Sequence, residues 1–158
     1  MAGALNRIVA AARSGHMLES DVAAISQRSI AAEATLRNAL LAAGSEPFGT
    51  PPGSGNYNAN NDPKLQYPNP LTGAMAANTL AQQFQVVARM IEAGMRGATG
   101  AKRQVFFVSL GGFDTHDLQN RNHADLMARL SHALRYFDTT LGALGARNLV
   151  TTFTASDF

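Results

Sequence analysis

The chain has 158 residues, of which 46% are hydrophobic and 15% are charged, and its formal net charge is +2. This composition is typical of one globular domain and excludes an intrinsically disordered chain. The absence of cysteine excludes disulfides and thiolate metal sites. No cluster of basic residues interleaved with aromatic residues predicts a nucleic-acid partner, and no apolar run reaches the roughly 20 residues that span a bilayer.

Residues 1–43 are predicted to be helical, in two pieces that break near Ser14-Gly15. Ser20 is a candidate N-cap of the second piece, because a serine oxygen accepts a hydrogen bond from the exposed amides of the first turn. Gly44 is a candidate C-terminal stop. The pattern predicts helices that pack on a larger core.

Residues 44–73 contain all six prolines of the chain, together with many glycine and asparagine residues. Proline and glycine interrupt regular structure, so this stretch is predicted to be a long loop. Loops of this length in compact domains are often functional. The sequence leaves two alternatives open: the loop only crosses the surface, or Tyr57, Asn60 or Tyr67 contacts a substrate.

The next predicted helix covers residues 75–97, where apolar residues recur at steps of three and four. These residues are Leu80, Phe84, Val87, Ile91 and Met95. Residues 104–158 are then predicted to form a strand–helix–strand unit. The first strand, at 105–110, is the densest β-branched and aromatic run of the chain, which is typical of a strand buried on both faces.

A helical apolar pattern follows from about Gln119 to Leu144, and residues 148–154 are predicted to be a second strand. A strand–helix–strand unit forms a parallel pair with a right-handed crossover. The predicted fold class is therefore α/β, with a parallel sheet flanked by helices. Two strands cannot cover both edges of such a sheet, so we expect the chain to be part of a larger domain that is truncated at both ends.

The candidate site follows from this topology. Asp114 and His116 come after the first predicted strand, and Asp157 comes after the second. The carboxyl ends of parallel strands share one edge, where ligands of open α/β sheets bind. Carboxylate and imidazole ligands suit a divalent metal, with imidazole favouring zinc or manganese. The alternative is that Asp114 only caps the next helix.

Two other histidines are candidates for weaker roles. His123 lies on the apolar stripe of the predicted helix at 119–144, so it is interpreted as a core histidine or as a neighbour of the metal site. His132 is interpreted as a surface residue on the far side of that helix. No serine-nucleophile motif of the G-x-S-x-G kind occurs.

Several segments resemble a known bacterial family. They are V-F-F-V-S-L-G-G-F-D-T-H-D-L-Q at 105–119, the helix beginning H-A-D-L-M-A-R-L, and the ending V-T-T-F-T-A-S-D-F. Together with Q-R-S-I-A-A-E-A-T-L near the start, they are similar to the domain of unknown function 1501 family. Many members of that family carry twin-arginine export signals, and the family belongs to the alkaline phosphatase and sulfatase-like superfamily.

The resemblance implies a metal-dependent hydrolase that acts on phosphate or sulfate esters through a two-ion site. It implies that Asp114, His116 and Asp157 match metal-ligand positions, and that the intact protein is periplasmic or exported. The opening strand of the family, and the Asp-His pair that follows its S-D-F segment, have no counterpart here. We therefore expect this chain alone to be inactive.

Two other functions are compatible with the sequence. One is a non-catalytic exported binding or scaffold protein that keeps the fold. The other is a helical interaction module that associates with a partner, or with itself, through exposed strand edges.

Overall fold

The computed structural model describes residues 17–100 and 103–156. The chain divides into two compact units, Met1–Leu40 and Leu41–Phe158. In the first unit the described part is one helix, α1, at Met17–Ala39. Its side chains Val22 and Ile25 are mostly exposed. The predicted break near Ser14-Gly15 lies outside the described residues.

The second unit is organised around two helices, α2 at Thr79–Met95 and α3 at Gln119–Ala143. They pack on each other, and the rings of Phe84 and Phe137 stack with centroids 4.5 Å apart. The helical spacing of apolar residues explains this contact, because each helix has one stripe to bury. The largest apolar side chains of the core are Phe48, Leu65, Leu80, Phe84, Val87, Tyr136, Phe137 and Leu141.

The proline-rich stretch between α1 and α2 is ordered and contributes to this core. It holds two short 3-10 helices, Ala59–Asn61 and Pro63–Leu65, and two strands, β1 at Gln66–Pro68 and β2 at Met75–Ala77. The strands pair antiparallel, with Tyr67 opposite Ala76. The side chains of Phe48, Leu65 and Tyr67 are fully buried, so this stretch is more than a surface crossing.

The predicted parallel sheet is wrong. In the described part of the chain the only sheet is the antiparallel pair β1–β2, and the fold is mostly helical. Residues 105–110 and 150–154 have no strand beside them, and Leu149 ends a 3-10 helix, Arg147–Leu149. No crossover unit is formed, because a parallel pair needs the two segments to lie side by side, and they do not hydrogen bond to each other.

Residues 105–110 are covered on one face only. Phe106, Val108 and Leu110 pack against the core, whereas Val105 and Phe107 are exposed. Side chains of an extended chain alternate between two faces, so the apolar run has one face on the core and one in solvent. The prediction that both faces are buried is therefore wrong as well.

Across residues 17–100 and 103–156, no helix combines the length and the apolar character that a bilayer crossing needs.

Candidate functional site

The turn before α3 brings the two predicted ligands into contact. The His116 Nε2 atom lies 3.0 Å from Asp114 Oδ2, and both side chains are largely exposed. The turn is tight, because His116 and Leu118 have φ values of 42° and 57°. Non-glycine residues take this left-handed conformation at a cost in free energy, and such residues cluster at functional sites.

Asp114 does not cap the helix. The N-cap of α3 is Leu118, which makes no capping hydrogen bond through its side chain. The alternative interpretation, in which Asp114 only caps the next helix, is therefore wrong.

An open pocket of about 320 Å³ lies beside this turn. Polar groups from the turn form one wall, and the first turns of α3 form the other. The lining residues are Leu71, Gly111, Gly112, Asp114, Thr115, Asn122, Asp125, Leu126 and Arg129. Of the three predicted ligands, Asp114 lines the pocket and His116 contacts Asp114 beside it. Asp157 lies outside the described residues.

On the far wall of the pocket, Asp125 and Arg129 hydrogen bond to Tyr67, which is buried and does not line the pocket. The Tyr67 hydroxyl donates to Asp125 Oδ1 at 2.5 Å, and Arg129 Nε donates to the same hydroxyl at 2.9 Å. A second guanidinium nitrogen of Arg129 lies 2.7 Å from Asp125 Oδ2. Burial raises the pKa of Tyr67, and the hydrogen bond to the Asp125 carboxylate raises it further. The phenol therefore stays neutral and holds both charged partners in place.

Asp125 and Arg129 were not predicted from the sequence. Their spacing of four residues on a helix is a signal for an ion pair, and the helix follows the Asp-Thr-His turn directly. Tyr67, by contrast, is 58 residues away from Asp125 in the chain. Only the tertiary fold brings its hydroxyl to Asp125 and Arg129.

The interpretation of His123 as a core histidine is wrong, and His132 is more buried than its interpretation as a surface residue implies. His123 is exposed, and its ring meets Phe113 edge-on at 6.3 Å rather than lying in the core. His132 is half-buried, with its Nδ1 atom 3.2 Å from Asn78 Nδ2. Burial lowers the pKa of His132, and the nearby charge of Arg135 lowers it further. His132 is therefore an internal packing residue, not a surface one.

Two loop residues that were candidates for substrate contact, Tyr57 and Asn60, hydrogen bond to other residues of the chain. The Tyr57 hydroxyl donates to Asp62 Oδ2 at 2.7 Å and accepts from Gln85 Nε2 at 2.7 Å. Asn60 is exposed, and its Oδ1 accepts from Gln82 Nε2 at 2.9 Å. Both residues therefore tie the loop to α2.

The donors around the turn fit a metal ion only in part. Within residues 17–100 and 103–156, no group of three or more histidine, aspartate or glutamate residues is arranged to hold an ion. Asp114 and His116 supply one oxygen and one nitrogen, which is two of the four ligands that zinc normally takes. Such a pair fits a weakly held ion that completes its shell with water or substrate.

Comparisons of the chain with protein-family models, with curated proteins and with solved structures found no match. The resemblance to the domain of unknown function 1501 family therefore stays a prediction from the sequence segments.

Proposed function

We propose that this chain supplies a metal-binding turn and an anion-binding wall to a metal-dependent hydrolase of phosphate or sulfate esters. The observation that supports the proposal is the pocket beside the Asp114–His116 pair, whose opposite wall carries Arg129. Metal ligands on one side and a guanidinium on the other suit an anionic ester. The sequence resemblance to a metallohydrolase superfamily supports the same class.

Asp114 and His116 would hold the ion, because a carboxylate with an imidazole suits zinc or manganese. A bound ion of this kind polarises an ester oxygen and activates a nucleophile. The left-handed residues His116 and Leu118 support a functional role for the turn, since their conformation costs free energy that a plain connection would avoid.

Arg129 would orient the anionic part of the ester. Its guanidinium is fixed by Tyr67 and Asp125, so little side-chain entropy is lost when an anion binds. Asp125 also offsets part of the positive charge of Arg129. We therefore expect the wall to bind an anion weakly by itself and more strongly when an ion occupies the turn.

The proposal is tested by calorimetric titration of Zn²⁺ and Mn²⁺. We expect weak binding by the full chain, because only two protein ligands are in place. Asp114→Ala and His116→Ala should each weaken it by about 10-fold or more, since each removes one of two ligands. Inorganic phosphate should bind more tightly in the presence of Zn²⁺, and Arg129→Gln should remove that gain.

Asp138→Ala is the matched control for the loss of a carboxylate. Asp138 is exposed and lies 13 residues after Asp125 on α3, which is about 20 Å along the helix axis. The Asp138→Ala variant should bind Zn²⁺ and Mn²⁺ as tightly as the unmodified chain does. Equal affinity for the Asp114→Ala variant would overturn the proposal.

A second candidate function is a non-catalytic binding or scaffold role, with self-association through the extended segment at 103–110. The observation that favours it is the exposure of Val105 and Phe107 on the outward face of that segment. Absence of any metal binding, together with a defined oligomer, would favour this role over the hydrolase.

A further inference from the structure

The segment at 103–110 has the form of a β-strand without a neighbour. From Arg103 to Leu110 the side chains alternate between exposed and half-buried at every step. Val105 is 99% exposed and Phe107 is 92% exposed. Large apolar side chains in a contiguous exposed row mark an interaction surface more often than a bare surface.

The hydrogen bonds show which edge of the segment is occupied. Ser109 uses both backbone groups: its amide donates to Gln83 Oε1 at 3.0 Å, and its carbonyl accepts from Gln83 Nε2 at 3.0 Å. In an extended chain the amide and carbonyl of one residue point to the same edge, and the next residue points to the other. The α2 side chain Gln83 therefore occupies the edge of the odd-numbered residues at Ser109, so a second strand cannot pair along the whole of that edge.

The edge of the even-numbered residues is open. Among the described residues, the backbone groups of Gln104, Phe106, Val108 and Leu110 take part in no hydrogen bond with another part of the chain. Unpaired backbone groups along an exposed strand edge are a template for another strand. The open edge and the apolar outward face therefore suit the same kind of binding partner, an extended and apolar segment.

The charge pattern favours a second copy of the same segment. No charged residue occurs from Gln104 to Phe113. Two copies therefore bring no like charges together, whereas a strongly acidic or basic partner strand would find no opposite charge to bind. A C2 contact of this kind is self-complementary, as most soluble homodimer contacts are.

We propose that residues 104–110 pair antiparallel with the same residues of a second copy, around a twofold axis at Phe107. The even-numbered edge sets this register. Phe106 of each copy exchanges both backbone hydrogen bonds with Val108 of the other, and Gln104 does so with Leu110. Phe107 then faces its own counterpart in a non-hydrogen-bonded pair, where opposite Cα atoms lie about 4.5 Å apart and side chains are closest.

The pairing is expected to be weak. Seven residues from each copy bury far less than the roughly 800 Å² per partner of a standard interface. A covalent trap is therefore the sharpest test, and the chain suits it because it contains no cysteine. In the proposed register the Phe107→Cys variant places two thiols across the twofold axis, at a Cα separation of about 4.5 Å that a disulfide can bridge.

Ser109→Cys is the matched control. Residue 109 lies on the same outward face, but it is opposite residue 105 of the other copy. The two cysteines of that variant are four residues apart along the strand, which is roughly 14 Å. Under mild oxidation we expect the Phe107→Cys chain to form a disulfide-linked dimer at least 10-fold faster than the Ser109→Cys chain. Equal rates, or no dimer from Phe107→Cys, would overturn the proposal.

Hydrogen exchange of the unmodified chain gives an independent reading of the register. The amides of Phe106 and Val108 should exchange more slowly as the protein concentration rises, while those of Val105 and Phe107 should stay fast. Slowing of the odd-numbered amides alone would contradict the register. These readouts do not involve metal, so their failure is distinct from a failure of the hydrolase proposal, on which this inference does not rest.

Discussion

Asp62 is the residue that holds the proline-rich stretch in its conformation. Its carboxylate accepts hydrogen bonds from the Thr50 amide at 2.8 Å, the Thr50 hydroxyl at 2.9 Å, the Tyr57 hydroxyl at 2.7 Å and the Lys64 amide at 2.9 Å. The side chain is only 3% exposed. A buried carboxylate with four donors is well satisfied, and it ties together parts of the loop that are far apart in sequence.

We expect Asp62→Asn to destabilise the second unit by about 1–3 kcal/mol, because an amide nitrogen would face donors instead of accepting from them. Unfolding in guanidinium chloride can be followed by tyrosine fluorescence, since the chain has no tryptophan and its three tyrosines lie in the second unit. Asp138→Asn is the control, because its ion pair with Arg147 is exposed on both sides. If Asp138→Asn lowered the unfolding free energy as much as Asp62→Asn does, burial of the Asp62 carboxylate would not explain the loss of stability.

The same carboxylate sets a pH dependence. Burial raises the pKa of Asp62, but the hydrogen bonds from Thr50, Tyr57 and Lys64 lower it more, so the pKa lies below its ordinary value of 3.8. A group with a lowered pKa in the folded state stabilises the fold above its unfolded pKa. That stability is lost as the pH falls through the folded value. The Asp62→Asn variant should therefore show a smaller decrease in unfolding free energy below about pH 4 than the unmodified chain.

At the scale of single residues, the sequence predicted local proximity but not distant partners. Asp114 and His116 were predicted to follow the same strand, and their side chains are in contact. The cause differs from the prediction, since a left-handed turn rather than an extended strand brings them together. Tyr67 was a candidate for substrate contact, but its hydrogen bond to Asp125 could not be predicted, because that bond depends on how β1 packs against α3.

Asn78 joins the two long helices of the second unit. Its Oδ1 atom accepts from the amides of Leu80 and Ala81 at the start of α2, and its Nδ2 atom donates to the Arg129 carbonyl of α3 at 2.8 Å. The residue is fully buried. It therefore acts as an N-cap for one helix and as a hydrogen-bond donor to the other.

We expect Asn78→Ala to lower the unfolding free energy by about 2 kcal/mol, of which about 1 kcal/mol is the lost cap and the rest is the lost bond to α3. Asn78→Ser keeps a capping oxygen but is too short to reach Arg129, so its loss should be about half as large. Thermal and denaturant unfolding of the two variants separate these contributions. Equal losses would mean that the cap contributes nothing measurable.

At the scale of elements, helical periodicity is a better guide than a short apolar run. The three- and four-residue spacing predicted helices at 75–97 and 119–144, and the structure has α2 and α3 there, with β2 in place of the first residues of the former. A run such as 105–110 shows that a segment is extended and apolar. It does not show whether another strand lies beside it, because that depends on segments far away in the chain.

At the scale of the whole molecule, the core of the second unit lies between α2, α3 and the proline-rich stretch instead of around a parallel sheet. From the sequence, the apolar run at 105–110 was predicted to be a strand buried on both faces. In the structure this run lies at the margin of the core, with only alternate residues in contact with it. The centre is the stacked pair Phe84 and Phe137.

Substitution of two phenylalanines in the second unit tests whether the core lies between α2 and α3 or around residues 105–110. Phe137 is 4% exposed and Phe107 is 92% exposed. We expect Phe137→Ala to lower the unfolding free energy by about 3–5 kcal/mol, because it leaves a cavity against Phe84. Phe107→Ala should change it by less than about 0.5 kcal/mol, as is usual for a surface position.

Both variants should be unfolded in denaturant at low protein concentration, so that pairing between copies does not add to the stability. Because the same side chain is removed from each site, the difference reports burial alone. If both faces of residues 105–110 were covered within the chain, Phe107→Ala would also create a cavity and the two losses would be similar. A large loss for Phe137→Ala alone would instead place the core between α2 and α3, and would leave the outward face of Phe107 available for a second copy.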